Sequence, residues 1–147
     1  MQVPAPDGIP WSPLTKPLEQ CRVALVTTAG LYVKGEQEPF DLDRERREPL
    51  WGDPTYRALP AGVRQEQIGV CHLHINTEDL LADVNITLPV HRFQELAEAG
   101  EVGSLADHHY SFMGFQMDPT AWREQYGPAV AQRMTEEQVD VALLTPV

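Results

Sequence analysis

Basic side chains are scarce: 11 lysines and arginines stand against 22 aspartates and glutamates, a formal net charge of -11 over 147 residues. Such a surface repels phosphate backbones and anionic lipid heads, which argues against nucleic acid and membrane surfaces as partners. Long apolar runs are missing as well. Nothing approaches the roughly 18 residues of a bilayer-spanning helix, and Met1 to Pro10 lacks the basic-then-apolar order of a secretory leader. The expected compartment is the cytoplasm. Only two cysteines occur, Cys21 and Cys71, each in or beside an apolar run and neither in a CxxC pair. A disulfide scaffold is therefore not expected, and a buried structural thiol is the default for both. GxxxxGK[ST], GxGxxG and GxSxG are absent too, which removes the phosphate-loop, dinucleotide and nucleophile-elbow readings.

What is present suits one compact domain, since 42% hydrophobic content over this length can bury a sizeable core. Residues 1–20 carry Pro4, Pro6, Pro10, Pro13 and Pro17 and read as an extended arm, with Ile9, Trp11 and Leu14 as apolar anchors. Residues 21–147 read as a single α/β domain. Arg22 to Thr28 is a short β-rich run ending at Ala29-Gly30, as expected of a strand buried on both faces. Lys34 to Gly62 reads as a long excursion with one helical turn, and its charge run, Asp41 to Glu48, as a solvated face. A second strand is expected over Gln67 to Ile75 and a short extended piece over Val84 to Leu88. Pro89 opens a helix whose Val90, Phe93, Leu96 and Ala97 form one face before Gly100 closes it. Asp118 caps another, with Trp122, Tyr126, Val130 and Met134 at steps of four and Gly127-Pro128 as a kink. Val139 to Thr145 is again a strand of the kind buried on both faces. Together these give an α/β fold: a mainly parallel sheet with flanking helices, Rossmann-like and three-layered, incomplete at its C-terminus.

Ligands of such sheets bind beyond the carboxyl ends of the strands, which directs attention to Thr27 to Gly30, to His72 to Asp83 and to whatever follows Thr145. His72 and His74, two apart on an expected strand, project from one face. With Asp79, Asp83 and Asn85 they suit three roles: metal ligation, substrate or proton handling, or hydrogen-bonded structural groups. His72, His74, Asp83 and Asn85 are the catalytic candidates, expected to cluster at one end of the sheet. Thr27, Thr28, Gly30, Asp79 and Met113 are the substrate-binding candidates, the first three because strand-end hydroxyls and amides can receive a carboxylate or phosphate. Phe112 to Phe115 is read as core before pocket wall. His108-His109, pointing to opposite faces of an extended chain, has a surface or interface role as its default. Asn85-Ile86-Thr87 matches a glycosylation sequon, discounted because nothing suggests secretion.

Several separated blocks then carry a resemblance. They are Ser12 to Leu18 (SPLTKPL), Cys21 to Gly30 (CRVALVTTAG), Pro39 to Leu42, Gly52 to Arg57 (GDPTYR), His74, Asp83 to Ile86 with Leu88-Pro89, Arg92 to Leu96 with Gly100, Gly103 and Leu105, and Tyr110 to Gly114. In this order, over nearly the whole chain, they resemble the selenoprotein B family of glycine/sarcosine/betaine and D-proline reductases. Phe112-Met113-Gly114 looks closer to the D-proline reductase branch.

The resemblance implies reductive cleavage of a carbon–nitrogen bond, with a selenolate or thiolate nucleophile and a dithiol that resolves the product. It implies no cofactor or metal in this chain, a pyruvoyl group on a partner reductase subunit, a thioredoxin-like or other dithiol reductant, and room for a homo-oligomer. The family's selenocysteine or cysteine is expected just after Val147, with UGA as the next codon, so that the chain as given is inactive alone and leaves an exposed apolar surface near its last strand. Two alternatives remain open: a non-catalytic module that binds a small molecule or partner through the His72 to Asn85 region, and a metal-dependent hydrolase built on His72 and His74.

Overall fold

The computed structural model describes residues 12–147. Most of the expected arm, including Ile9 and Trp11, lies outside the described residues; residues 12–17 carry no regular structure and Leu18–Gln20 is a 3-10 turn.

Strand β1 (Arg22–Thr27) is the centre of the sheet. Its apolar residues alternate between two clusters, as a strand buried on both faces requires. Val23 and Leu25 join one cluster with Val84, Leu88 and Val90, while Val26 packs in another with Tyr110, Phe112 and Val130. Along one edge of β1 run β5 (Ser104–Leu105) and β6 (His108–Phe112), and along the other β7 (Val141–Thr145), all parallel to it. Strand β3 (Tyr56–Pro60) closes the far side, antiparallel to β6. The expected α/β architecture with a mainly parallel sheet is the one observed.

One helix covers each face. Helix α3, the third in chain order (Val90–Glu98), sets Phe93, Leu96 and Ala97 against the Val23 side and ends before Gly100, whose φ of 75° is the left-handed conformation that stops a helix. On the opposite face Trp122, Tyr126, Val130 and Met134 pack against Tyr110 and Phe112. Asp118 caps that helix by accepting from the Thr120 N–H at 3.0 Å. The expected kink takes a specific form here: a π turn over Trp122–Tyr126 leads into helix α4 (Gly127–Glu136), and the Gly127 N–H bonds back to the Trp122 carbonyl. Pro128, with no N–H to donate, forces that local readjustment.

The excursion from Lys34 to Gly62 is more ordered than expected. It holds helix α1 (Leu42–Arg47) and β3, and just before it β2 (Leu31–Val33) pairs antiparallel with β4 (Ile68–Val70) as a separate two-stranded sheet. Three expectations need correction. The strand expected through Ile75 stops at Val70, because the chain bends over residues 73–75 and Asn76 then caps helix α2 (Thr77–Ala82). The extended piece at Val84 is a 3-10 turn, Val84–Ile86, capped by Asp83. Strand β7 is not buried on both faces: it is an edge strand, with Leu144 66% exposed. The apolar run does form a strand, but apolar grooves of about 320 Å³ flank it, one lined by Phe112, Trp122 and Leu144 and the other by Phe93, Leu96 and Leu143. The exposed apolar surface expected near Val147 is there.

Candidate functional site

Three chain segments meet at the carboxyl end of β1. Gly30, with φ of 66°, donates its N–H to the Phe112 carbonyl and accepts from the Cys71 N–H, so the ends of β1 and β6 and the exit from β4 are tied at one residue. A Cβ there would overlap the Cys71 carbonyl oxygen. Thr27 is fully buried and donates its hydroxyl to the Thr145 carbonyl at 3.1 Å, strapping β1 to β7. Thr28, one residue on, donates to the Val147 carbonyl at 3.2 Å and accepts from the Val147 N–H at 2.8 Å. The amides of Ala29, Gly30 and Leu31 are taken by Thr27 Oγ1, the Phe112 carbonyl and Ser111 Oγ. The expected amide cradle for a carboxylate or phosphate is therefore closed at these three positions.

Gly114 lies where this junction opens. A Cβ placed on it would stand 2.8 Å from the Val147 carbonyl oxygen, 3.3 Å from Thr28 Oγ1 and 3.4 Å from His72 Nε2. This basin brings together groups from β1, from the segment after β4 and from the segment after β7. His72 does not reach it by strand alternation, as expected, since residues 71–75 follow the end of β4. What orients the ring is a bond from the His74 backbone N–H to His72 Nδ1 at 3.1 Å. A nitrogen that accepts carries no proton, so neutral His72 bears its hydrogen on Nε2. That Nε2 is buried and has no hydrogen-bond partner. Burial, and then the neighbouring His74, hold His72 below the ordinary histidine pKa, so it stays neutral. The basin thus contains one unpaired N–H donor, His72 Nε2, beside a Thr28 hydroxyl whose proton is already given to Val147.

The rings of His72 and His74 stand edge to face with centroids 6.0 Å apart. His74 is 62% exposed, and its Nε2 lies 4.0 Å from Oε1 of Glu45, whose side chain is only 4% exposed. Neither oxygen of Glu45 has a hydrogen-bond partner. Burial raises the Glu45 pKa and His74 offsets part of that rise. Sequence reasoning assigned Glu45 to a solvated charge run. The missed signal is its spacing: Glu45 lies three residues after Leu42, which packs against the Phe40, Cys71 and Met113 cluster, and so shares Leu42's inward face.

The other candidates make hydrogen bonds of their own or lie inside the core. Asp83 accepts from the Asn85 N–H and Nδ2, and Asn85 Oδ1 accepts from the His91 and Arg92 N–H groups at the start of α3. Both serve as caps, and their hydrogen bonds do not involve the two histidines. Asp79 is exposed and bonds Asn76. Met113 is buried behind the basin with Phe40 and Cys71. His109 corrects the expectation of a surface pair: it is fully buried, its Nδ1 accepts from the Leu25 N–H at 3.2 Å across the gap between β5 and β6, and only His108 faces outward, onto Glu137 at 2.7 Å. Both thiols are buried, and burial pushes Cys71 up. Among the described residues no three His, Cys, Asp or Glu side chains form a metal-ligand group, so the hydrolase alternative finds no third protein ligand beside His72 and His74.

Comparison with known proteins gives a consistent result. The family described as glycine/sarcosine/betaine reductase selenoprotein B matches residues 1–147. The D-proline reductase subunit gamma of Acetoanaerobium sticklandii is 33% identical over 135 residues, covering 92% of this chain and 52% of that protein. Glycine reductase complex component B subunit gamma is 24% identical in Carboxydothermus hydrogenoformans, over 99% of this chain and 32% of that protein. Its counterpart in Symbiobacterium thermophilum is 26% identical, over 97% of this chain and 32% of that protein. The chain thus spans about half the length of the first of these relatives and about a third of the other two, and of the three it is most similar to the D-proline reductase subunit. No solved structure matches it at a significant level.

Proposed function

The chain belongs to the glycine/sarcosine/betaine reductase selenoprotein B family, and from that premise we propose that it is a subunit of an oxidoreductase complex that cleaves the carbon–nitrogen bond of a small amino acid reductively. A selenolate or thiolate attacks the carbon, and the C–N electron pair leaves with nitrogen, which takes a proton. One thiol of a dithiol then attacks the selenium or sulfur, and the released carbon takes a proton. The second thiol expels the nucleophile as the disulfide forms. The net change is one C–N bond and two S–H bonds exchanged for C–H, N–H and S–S.

Neither cysteine of this chain suits the nucleophile's part, because reactivity needs an accessible thiolate and both thiols are buried. In this reading the selenocysteine or cysteine follows Val147. A pyruvoyl carbonyl on a partner subunit would supply the electrophile that activates the substrate amine, and the exposed His74 side of the basin leaves room for such an approach. The observation that supports the proposal is the convergence of His72 Nε2, Thr28 Oγ1 and the Val147 backbone on Gly114, at the carboxyl ends of β1 and β7. His72 Nε2–H holds the selenolate or thiolate as the anion, and the Thr28 hydroxyl fixes the backbone that presents it.

The test is to isolate the native complex through a tag on this chain and to supply glycine, sarcosine, betaine or D-proline with a dithiol. Dithiol-dependent loss of one of them, with matching disulfide formation, is expected. An intact complex that consumes none would refute the assignment.

A further inference from the structure

The geometry points to Glu45 as a positioning residue that, acting through His74, holds His72 as the neutral tautomer with its Nε2–H in the Gly114 basin. Every other charged side chain of α1's middle is paired on the surface: Asp43 with Arg46, and Arg44 with Glu48. Glu45 alone turns inward, beside Leu42 and the Phe40 cluster, where an aliphatic side chain would be favoured. A buried carboxyl group without a hydrogen-bond partner is unfavourable, and such groups gather where a site needs them. The basic group it faces is His74, whose Nε2 lies 4.0 Å from Glu45 Oε1. Asp53, Cys71 and Arg57 are charged or titratable groups around the same cluster, with Arg46 on the same helix. Asp53 is already satisfied by the Asp41 N–H and by Thr55.

The link to the basin is direct. The His74 backbone N–H is the bond that strips the proton from His72 Nδ1. Drawing the His74 ring toward Glu45 fixes that N–H in place. The His74 ring, edge to face with His72, also contributes to holding the His72 pKa down. Glu45 thereby keeps the basin donor available and uncharged. The inference rests on the reading of the basin as the place where the nucleophile is held, but its test involves no substrate.

Long-range proton–nitrogen NMR of the imidazole rings reports the tautomer directly, and it can be recorded on the 147-residue chain. Unmodified protein is expected to show His72 as one Nε2–H tautomer. Glu45→Gln and His74→Ala should each give a mixture of both tautomers. Glu45→Leu serves if Glu45→Gln fails to fold: it should be more stable than the parent, by removing a buried charge, yet lose the tautomer in the same way. An unchanged His72 in folded Glu45→Gln or Glu45→Leu overturns the inference. So does a change in His74→Ala that neither Glu45 variant reproduces. A failed reductase assay alongside the expected NMR result would count against the proposed function alone.

Discussion

Replacing His109 by asparagine should remove one proton's worth of pH dependence from the stability of the fold. The ring is fully buried between β1 and β6, and burial lowers its pKa to about 4, with Glu137 opposing part of that shift. The unfolded chain protonates near the ordinary value of 6.5. Between those values the unfolded state binds a proton that the folded state excludes, so stability is complete above pH 6.5 and is lost as pH falls toward 4. The gap is worth about 3 kcal/mol, to within about one. Asparagine keeps an acceptor at the δ position for the Leu25 N–H, which now bonds His109 Nδ1, but has nothing to titrate. Its smaller volume should cost about 1–2 kcal/mol at every pH. The assay is urea denaturation of both proteins from pH 4 to 7.5, read as the difference between them, since acidic groups common to both cancel. That difference should move by about 3 kcal/mol between pH 7 and 4, so that the parent, the more stable of the two at pH 7, becomes the less stable at pH 4. A difference that does not change with pH would show that His109 is not held neutral in the fold, and the account of the β5–β6 gap would fail.

Gly30→Ala should destabilise the chain by about 3 kcal/mol or more in the same assay, because its φ of 66° is strained for any L side chain and a Cβ would overlap the Cys71 carbonyl. Gly114→Ala should displace the Val147 backbone from Thr28, because a Cβ would stand 2.8 Å from the Val147 carbonyl oxygen, and chemical-shift changes at Thr28, His72 and Val147 would report it. The folded chain should bind a hydrophobic dye through the β7 surface, and Leu144→Glu should weaken that signal with a stability change of about 0.5 kcal/mol or less, since Leu144 is mostly exposed. An unaltered dye response would place the exposed patch elsewhere.

The elements legible in the sequence are those whose apolar pattern matches how they are packed. Val23 to Val26 forms a continuous run because β1 has helices on both sides, and Val90, Phe93, Leu96 and Ala97 form a stripe because α3 has one buried face. Leu143 and Leu144 have the same composition as the β1 run but flank open grooves, and composition does not distinguish a covered strand from an uncovered one. Strand β2 is three residues, too short for a period to show. Around the basin, the strand-end rule led to Thr28 and His72. It also led to Asp83 and Asn85, whose short polar side chains were spent on local caps, a use that their spacing alone does not distinguish from ligand binding. Glu45 was hidden among outward-facing charges of α1, and only the position of Leu42 three residues earlier marks its face.

The central claim is that the basin at Gly114 is where the nucleophile meets its substrate and that His72 Nε2–H serves it there. His72→Ala in the tagged native complex tests this most directly, through dithiol-dependent substrate consumption at saturating substrate. Removing one preorganised donor to a reacting anion should lower kcat by about 100-fold or more, with KM little changed and the complex intact. Full turnover by an intact His72→Ala complex would contradict the claim.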